Sequence, residues 1–316
     1  MTPKISNLLL NLKKNVSLAP YTTFKIGGRA KYFYQAKTKE KLIRALNLAK
    51  KLKLPFFVLG GGSNLLISDK GFNGLIIKQD IKCYKILGTK IYAEAGVSFQ
   101  TLVKETGKRG LSGLEWAGGL PGTLGGAVLG NAGAFGGETK DTIVSVEALD
   151  KSLKLRTLNK KQCRFSYRSS ILKKEGWVVV SAIMKLQGGN KKTIQKIASD
   201  HIKYRKERNP MEYPNAGSIF KNCDLSNIPK KSQKIFKDVI KIDPFPLIPT
   251  AAIIAKTGLK NLIAGKAQVS EKHPNFIVNL GGAKAKDVIK LIRLVKKRVK
   301  DKFEINLEEE VRYFGF

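Results

Sequence analysis

Residues 58–74 read VLGGGSNLLISDKGFNG, and residues 116–138 read WAGGLPGTLGGAVLGNAGAFGGE. In the first stretch a short apolar run meets three consecutive glycines and a Ser-Asn pair. Glycine clusters of this kind mark backbone that takes φ > 0 or lies close against something else. Successive N–H groups in such a turn form a concave anion nest, with no Cβ to obstruct a phosphate. The stretch is not G-x-G-x-x-G opening a helix, and no Walker lysine follows it, so neither the Rossmann nor the P-loop pattern applies. On spacing alone, a structural turn fits it as well as a phosphate cradle does. The second stretch holds more glycine than a plain loop needs, and a chain wrapped along an extended ligand accounts for it.

Outward from these loops the text alternates between helix and strand. KEKLIRALNLAKKL (39–52) places Leu42, Ala45, Leu46, Ala49 and Leu52 at helical spacing, and Pro55 follows. Phe56 to Leu59 then predicts a short buried strand. GLIIK, YKILG and KIYAEAG, around 75–95, read as strands, and Phe99, Leu102, Val103 and Thr106 as a helix face. Residues 113–137 carry little helical text. Strands are predicted again at 143–149 and 177–186. From about 190 the composition becomes more basic. KKTIQKIASDHIKYRKER sets Ile194, Ile197 and His201 on one face, and DVIKLIRLVKKRVKDKF sets Val288, Leu291, Ile292, Val295 and Val299 on another. PNFIVNLGG lies between them as a strand. FEINLEEEVRYFG ends the chain as an expected strand with a bulge. The class is α+β, with expected domains at 1–80, 81–190 and 191–316, the strand 303–316 returning to the active site.

The chain has 316 residues and a formal net charge of +35. Lysine outnumbers arginine and is spread along the whole length, which reads as a solvated basic surface rather than a nucleic-acid module with its patch of arginines and aromatics. No stretch approaches the ~18 apolar residues of a membrane span, and MTPKISNLLLNLKKN is not expected to be a secretory signal. Cys83, Cys163 and Cys223 are odd in number and widely spaced, which excludes a disulfide framework or zinc motif, fits a reducing cytosol, and is expected to leave all three as core residues. No metal is expected. His201 and His273 read as structural.

Seven strings, in order along nearly the whole chain, carry a resemblance. They are YTTFKIGGRA (21–30), LGGGSNLLISDKGFNG (59–74), GLEWAGGLPGTLGGAVLGNAGAFG (113–136), FSYRSS (165–170), YPNAGSIFKN (213–222), AQVSEKHPNFIVN (267–279) and EEEVRYFG (308–315). Together they resemble the UDP-N-acetylenolpyruvoylglucosamine reductase family. The resemblance implies an FAD-binding fold of the vanillyl-alcohol-oxidase (PCMH) type in two parts, plus a C-terminal α+β substrate-binding domain. It implies FAD and NADPH as cofactors, a UDP-sugar enolpyruvate as substrate, and a cytoplasmic monomer working in peptidoglycan precursor synthesis, with neither nucleic acid nor membrane insertion. Gly60, Gly61, Gly62, Ser63 and Asn64 map onto the loop that reads the flavin pyrophosphate. Gly119, Gly122, Gly125, Gly126, Asn131 and Gly133 map onto the segment running along the flavin.

In the reaction this resemblance implies, hydride passes from NADPH to flavin and from flavin to the enolpyruvyl methylene carbon. The resulting charge must be held, and the neighbouring carbon protonated. Arg168 matches the family's arginine, a planar cation able to clamp a carboxylate through two bonds. Ser218 matches the proton donor. Glu310, the carboxylate directly before Val-Arg, matches the third catalytic residue, leaving Glu308 and Glu309 as a solvated edge. Tyr167, Lys221 and Asn222 map to substrate binding. Only 50 positions separate Arg168 from Ser218, which implies the shorter type without a tyrosine capping loop, and 223–250 is longer than that pattern expects. Another oxidase or dehydrogenase of the same superfamily is the competing reading. Such enzymes often tether flavin through His or Cys, and neither stands in the two glycine loops.

Overall fold

The computed structural model describes residues 12–316. The described chain divides into two compact units, one of 12–16, 30–61 and 73–204, the other of 17–29, 62–72 and 205–316.

The first unit contains two larger sheets, each with its own apolar core, and two short two-stranded pairings. One sheet has the order Lys13–Ser17, Arg29–Ala36, Phe72–Gln79, Phe56–Leu59. Helix α1, Lys39–Lys51, buries Leu42, Ala45, Leu46, Leu48 and Ala49 with Tyr34, Leu75 and Ile77 of this sheet. Thr38 caps α1 by accepting from the Lys41 N–H at 3.3 Å. Phe56–Leu59 runs parallel to Phe72–Gln79 and forms the sheet edge, so only Leu59 of the run is fully buried, fewer than its apolar text predicts.

The other sheet has the order Leu155–Asn159, Ile143–Leu149, Val178–Lys185, Lys90–Glu94, Tyr84–Leu87. Helix α2, Phe99–Lys108, buries the four residues its spacing predicts. Helix α3, Leu124–Gly130, was not expected from LGGAVLG, whose glycines lower helix propensity. The reason is packing. A Cβ on Gly125 would lie 2.8 Å from the Ala95 Cβ, so glycine lets the helix press onto the turn that follows the strand Lys90–Glu94. Helix α4, Lys191–Arg208, is mostly exposed, and of Ile194, Ile197 and His201 only Ile194 is fully buried.

The second unit is built on a sheet ordered Asn215–Ser218, Phe276–Asn279, Ala267–Val269, Ile263–Ala264. Helix α5, Ala285–Phe303, buries Val288, Leu291, Ile292, Val295 and Val299 in its core. Each such side chain contributes ~1.5–3 kcal/mol on burial. Asp69 caps α5, accepting from the N–H groups of Ala285 (2.9 Å) and Lys286 (3.2 Å).

Two expectations are corrected. The terminal strand expected over 303–316 is confined to Arg312–Phe314, parallel to Leu65–Ile67. Phe303 instead closes α5, and Glu304 ends that helix in the left-handed region at φ 59°. Cys83 is exposed rather than in the core, because its backbone is held by Glu94 at the surface while its side chain faces solvent. The long segment 223–250 is folded into the second unit. Cys223–Asp224 pairs with Leu247–Ile248, and Ile228, Phe236, Leu247 and Ile248 are buried.

Candidate active site

In the first unit the two glycine loops touch. A Cβ on Gly61 would stand 2.7 Å from the Gly122 Cα, and one on Gly60 would stand 3.0 Å from Thr123 Oγ1. A side chain is therefore excluded where Gly61 passes the Gly122 backbone, and one at Gly60 would have to push the Thr123 hydroxyl aside. Thr123 Oγ1 is buried and has no hydrogen-bond partner among the described residues. Gln100 of α2 braces the second loop, donating through Nε2 to the carbonyls of Ala117 and Leu120 (both 2.8 Å) and accepting from the Gly119 N–H at 3.0 Å. Gly126 lies on the exposed side of α3, and Gly133 pairs with Glu138 in a two-stranded turn. A side-chain-free backbone cradle with an unsatisfied hydroxyl beside it fits the diphosphate of a dinucleotide.

Asn131 is completely buried and caps α3 in the left-handed region at φ 42°. Its Nδ2 donates to the Ser166 carbonyl at 3.2 Å and its Oδ1 accepts from the Lys140 N–H at 3.0 Å. Both ends of its amide thus serve the protein, and one of them holds the turn that presents Arg168. That turn is closed by reciprocal backbone bonds between Ser166 and Ser169, 3.0 Å each. Arg168 itself has φ 54°, a conformation costing a non-glycine residue ~1–2 kcal/mol. The Lys173 Nζ donates to its carbonyl at 2.8 Å, and Ser170 Oγ donates to the Leu129 carbonyl at 2.7 Å, so the strained turn is tied down on several sides. The Arg168 guanidinium lies 5.0 Å from the Tyr167 ring centroid.

In the second unit, three segments converge. Gly217 is at φ 77°, with its N–H bonded to Asn215 Oδ1 at 3.0 Å, and Ser218 follows opposite Phe276. The next residue, Ile219, accepts at its carbonyl from the Glu310 N–H at 2.8 Å. Asn64, from the first glycine loop, donates through Nδ2 to the Glu310 carbonyl at 3.1 Å and accepts at its own carbonyl from the Arg312 N–H. Gly62 lies in this unit too, its carbonyl accepting from the Thr23 N–H, and Ser63 sits half-buried after it. Buried Asn275 locks the strand after Ser218: its Oδ1 accepts from the Phe220 N–H and its Nδ2 donates to the Phe220 carbonyl.

The acidic run is not simply solvated. Lys221 Nζ pairs with Glu308, which remains exposed, and Lys296 Nζ pairs with Glu309 at 2.7 Å. Asn222 Oδ1 accepts from the Thr250 N–H at 3.3 Å, which links the Ser218 string to the long segment. Among the described residues no group of three His, Cys, Asp or Glu side chains is placed to hold a metal, and no helix is long and apolar enough to cross a membrane. Gln100, Asn275 and Thr123 were not read as site residues. Gln100 lies in helical text with no motif, whereas Asn275 and Thr123 stand inside quoted strings where they were legible but unassigned.

Residues 30–159 match the model of an FAD binding domain, and residues 209–314 match the C-terminal domain of UDP-N-acetylenolpyruvoylglucosamine reductase. Together with the α+β architecture this defines an FAD-dependent oxidoreductase. UDP-N-acetylenolpyruvoylglucosamine reductase of Clostridium novyi is 38% identical over 96% of this chain and 92% of its own length. That of Caldicellulosiruptor bescii is 40% identical over 98% and 93%. The crystal structure of the reductase from Thermus caldophilus aligns with a TM-score of 0.77 at 32% identity, covering 96% of this chain and all of that one. The chain belongs to the UDP-N-acetylenolpyruvoylglucosamine reductase family, flavoproteins of peptidoglycan synthesis.

Proposed function

We propose that the chain uses NADPH and bound FAD to reduce the enolpyruvyl group of UDP-N-acetylenolpyruvoylglucosamine, with Arg168, Ser218 and Glu310 as its catalytic residues. The observation that carries this is the backbone bond from Glu310 to Ile219, which puts the carboxylate's segment beside the serine's. FAD, when bound, supplies hydride transfer from NADPH to the methylene carbon of the substrate. Gly60, Gly61 and Gly122 bind it by offering backbone without side chains, and Gly119, Gly125, Gly126, Gly133 and Asn131 keep the second loop in shape. Hydride arrival leaves negative charge spread from the neighbouring carbon into the substrate carboxylate. Arg168, always charged and fixed in a rigid turn, offsets that charge. Ser218 Oγ gives its proton to the same carbon. An alcohol is a weak acid, so it serves here only because the accepting carbanion is a stronger base and the hydroxyl is fixed. Glu310 acts on the substrate carboxylate, while Lys221, Asn222 and Tyr167 bind the substrate.

The three-part division at 80 and 190 belongs to this reading. It is supported by the separate cores around Leu42 and around Phe99, and by family matches that end at 159 and resume at 209. A cytoplasmic monomer follows from the family resemblance and from substrates that are free nucleotides. The test is NADPH oxidation by purified protein, followed by absorbance with and without the enolpyruvyl sugar. Oxidation that depends on the sugar is expected. Oxidation that ignores the sugar and consumes oxygen instead would mark an oxidase.

A further inference from the structure

One cation in the first unit is not used by any step above. Lys78 stands on the strand Phe72–Gln79, directly opposite Leu59 in the parallel register. Its side chain is half-buried, and Nζ donates to the carbonyl of Gly60, the first residue of the glycine loop. Burial pushes the lysine pKa below its ordinary value, while nearby Asp80 acts in the opposite direction and Lys82 adds to the lowering. Asp80 is engaged elsewhere, with Lys82 and, at 2.7 Å, with Gln35 Nε2. A half-buried ammonium that reaches a carbonyl of a close-packed glycine turn has two effects. It fixes the peptide plane between Gly60 and Gly61, and it brings positive charge to a loop whose neighbour, Thr123 Oγ1, lacks a partner among the described residues.

We propose that Lys78 is a positioning residue of the diphosphate subsite, holding the Gly60 carbonyl so that the loop N–H groups face the cofactor's phosphates, and adding a charge that favours them. This rests on the placement of the FAD diphosphate at the Gly60 loop. A lysine serving only the fold would support riboflavin and FAD alike, because both carry the isoalloxazine ring. A lysine serving the phosphates distinguishes them. Charge-assisted hydrogen bonds contribute enough to predict ~10- to 100-fold in affinity.

The test is binding of FAD and of riboflavin to deflavinated full-length protein, followed by flavin fluorescence, for wild type, Lys78→Met, Lys78→Arg and Gly60→Ala. Lys78→Met should raise the FAD Kd ~10- to 100-fold, leave riboflavin within about twofold, and leave the apoprotein melting temperature near wild type. Lys78→Arg should recover most of the FAD loss. Equal weakening of both flavins, or no weakening of FAD, overturns the proposal. If Lys78→Met does not fold, Lys78→Gln, which keeps a donor for Gly60 without charge, is expected to show a smaller loss, still confined to FAD; equal weakening of both flavins or no weakening of FAD in that variant overturns the proposal as well. Gly60→Ala tests the placement separately: FAD affinity unchanged in that variant would move the diphosphate elsewhere, whatever Lys78 does.

Discussion

The N–H of Glu310 donates to the carbonyl of Ile219 across 2.8 Å, and the side chain of Asn64 donates to the Glu310 carbonyl from the other side at 3.1 Å. Both peptide groups of Glu310 are thereby fixed relative to the strand that bears Ser218. Under the proposed roles, a serine and a carboxylate set on one hydrogen-bonded backbone keep their geometry without help from flexible side chains, which is what a positioned acid requires.

Ser218→Ala separates the two half-reactions. The substitution removes one oxygen and adds no bulk, so folding and FAD binding should survive. Bleaching of the flavin by NADPH needs no proton at an alkene carbon and should stay within a few-fold of wild type. Recovery of flavin absorbance on adding the enolpyruvyl sugar should slow by ~10²–10⁴-fold, equivalent to ~3–5 kcal/mol of barrier. Equal slowing of both phases in stopped-flow would make Ser218 a packing residue.

Asn131→Ala removes both amide bonds of a fully buried side chain, leaving the Lys140 N–H without its acceptor and the Ser166 carbonyl with only its bond from the Ser169 N–H. The expected loss is ~1–3 kcal/mol, the cost of one unsatisfied buried polar group. That corresponds to a melting temperature lower by ~2–12 °C. The Arg168 turn should loosen with it, so kcat should fall more than FAD affinity does. Thermal unfolding and steady-state kinetics on the same preparation check both.

Cys163 is fully buried, and burial pushes its thiol up to about 11 from 9.0. Because the folded-state value is the higher one, the stabilisation is complete below pH ~8.5 and is lost as pH rises through about 11. The native protein should therefore lose stability in mild alkali, and Cys163→Ala should flatten that part of the profile. At neutral pH a thiol reagent should label exposed Cys83 first and leave Cys163 untouched until denaturant is added. Early labelling of Cys163, read by mass spectrometry of peptides, would contradict its burial.

Much of this was legible in the sequence, and the exceptions have physical causes. The five apolar positions of α5 were readable because each falls on one face at helical spacing. Helix α3 was hidden, because its three glycines argue against a helix until Ala95 is known to press on Gly125. The end of α5 was misread because Phe303, Ile305 and Leu307 alternate like a strand, although all three reach the core from a helix end and an extended segment. Ser218 and Glu310 were readable only as parts of recognised strings. Lys78 was invisible, since its meaning depends on a parallel register pairing it with Leu59, which no local pattern encodes.

The net charge of +35 makes a prediction about encounter. The UDP-sugar and NADPH are both anions, so kcat/KM for each should fall as ionic strength passes ~0.1 M, where the Debye length is ~10 Å. The fall should appear in kcat/KM more than in kcat. A flat response would show that the basic surface plays no part in capture.

The most direct test of the account is a single anaerobic turnover. Purified protein carrying its flavin is reduced with one equivalent of NADPH, which should bleach the flavin band near ~450 nm. UDP-N-acetylenolpyruvoylglucosamine is then added in the absence of oxygen. Full return of the band, with one equivalent of sugar reduced and little return in Glu310→Gln or Arg168→Met protein, is the predicted result. A flavin that stays bleached with the sugar, yet recovers on admitting air, would contradict the assignment.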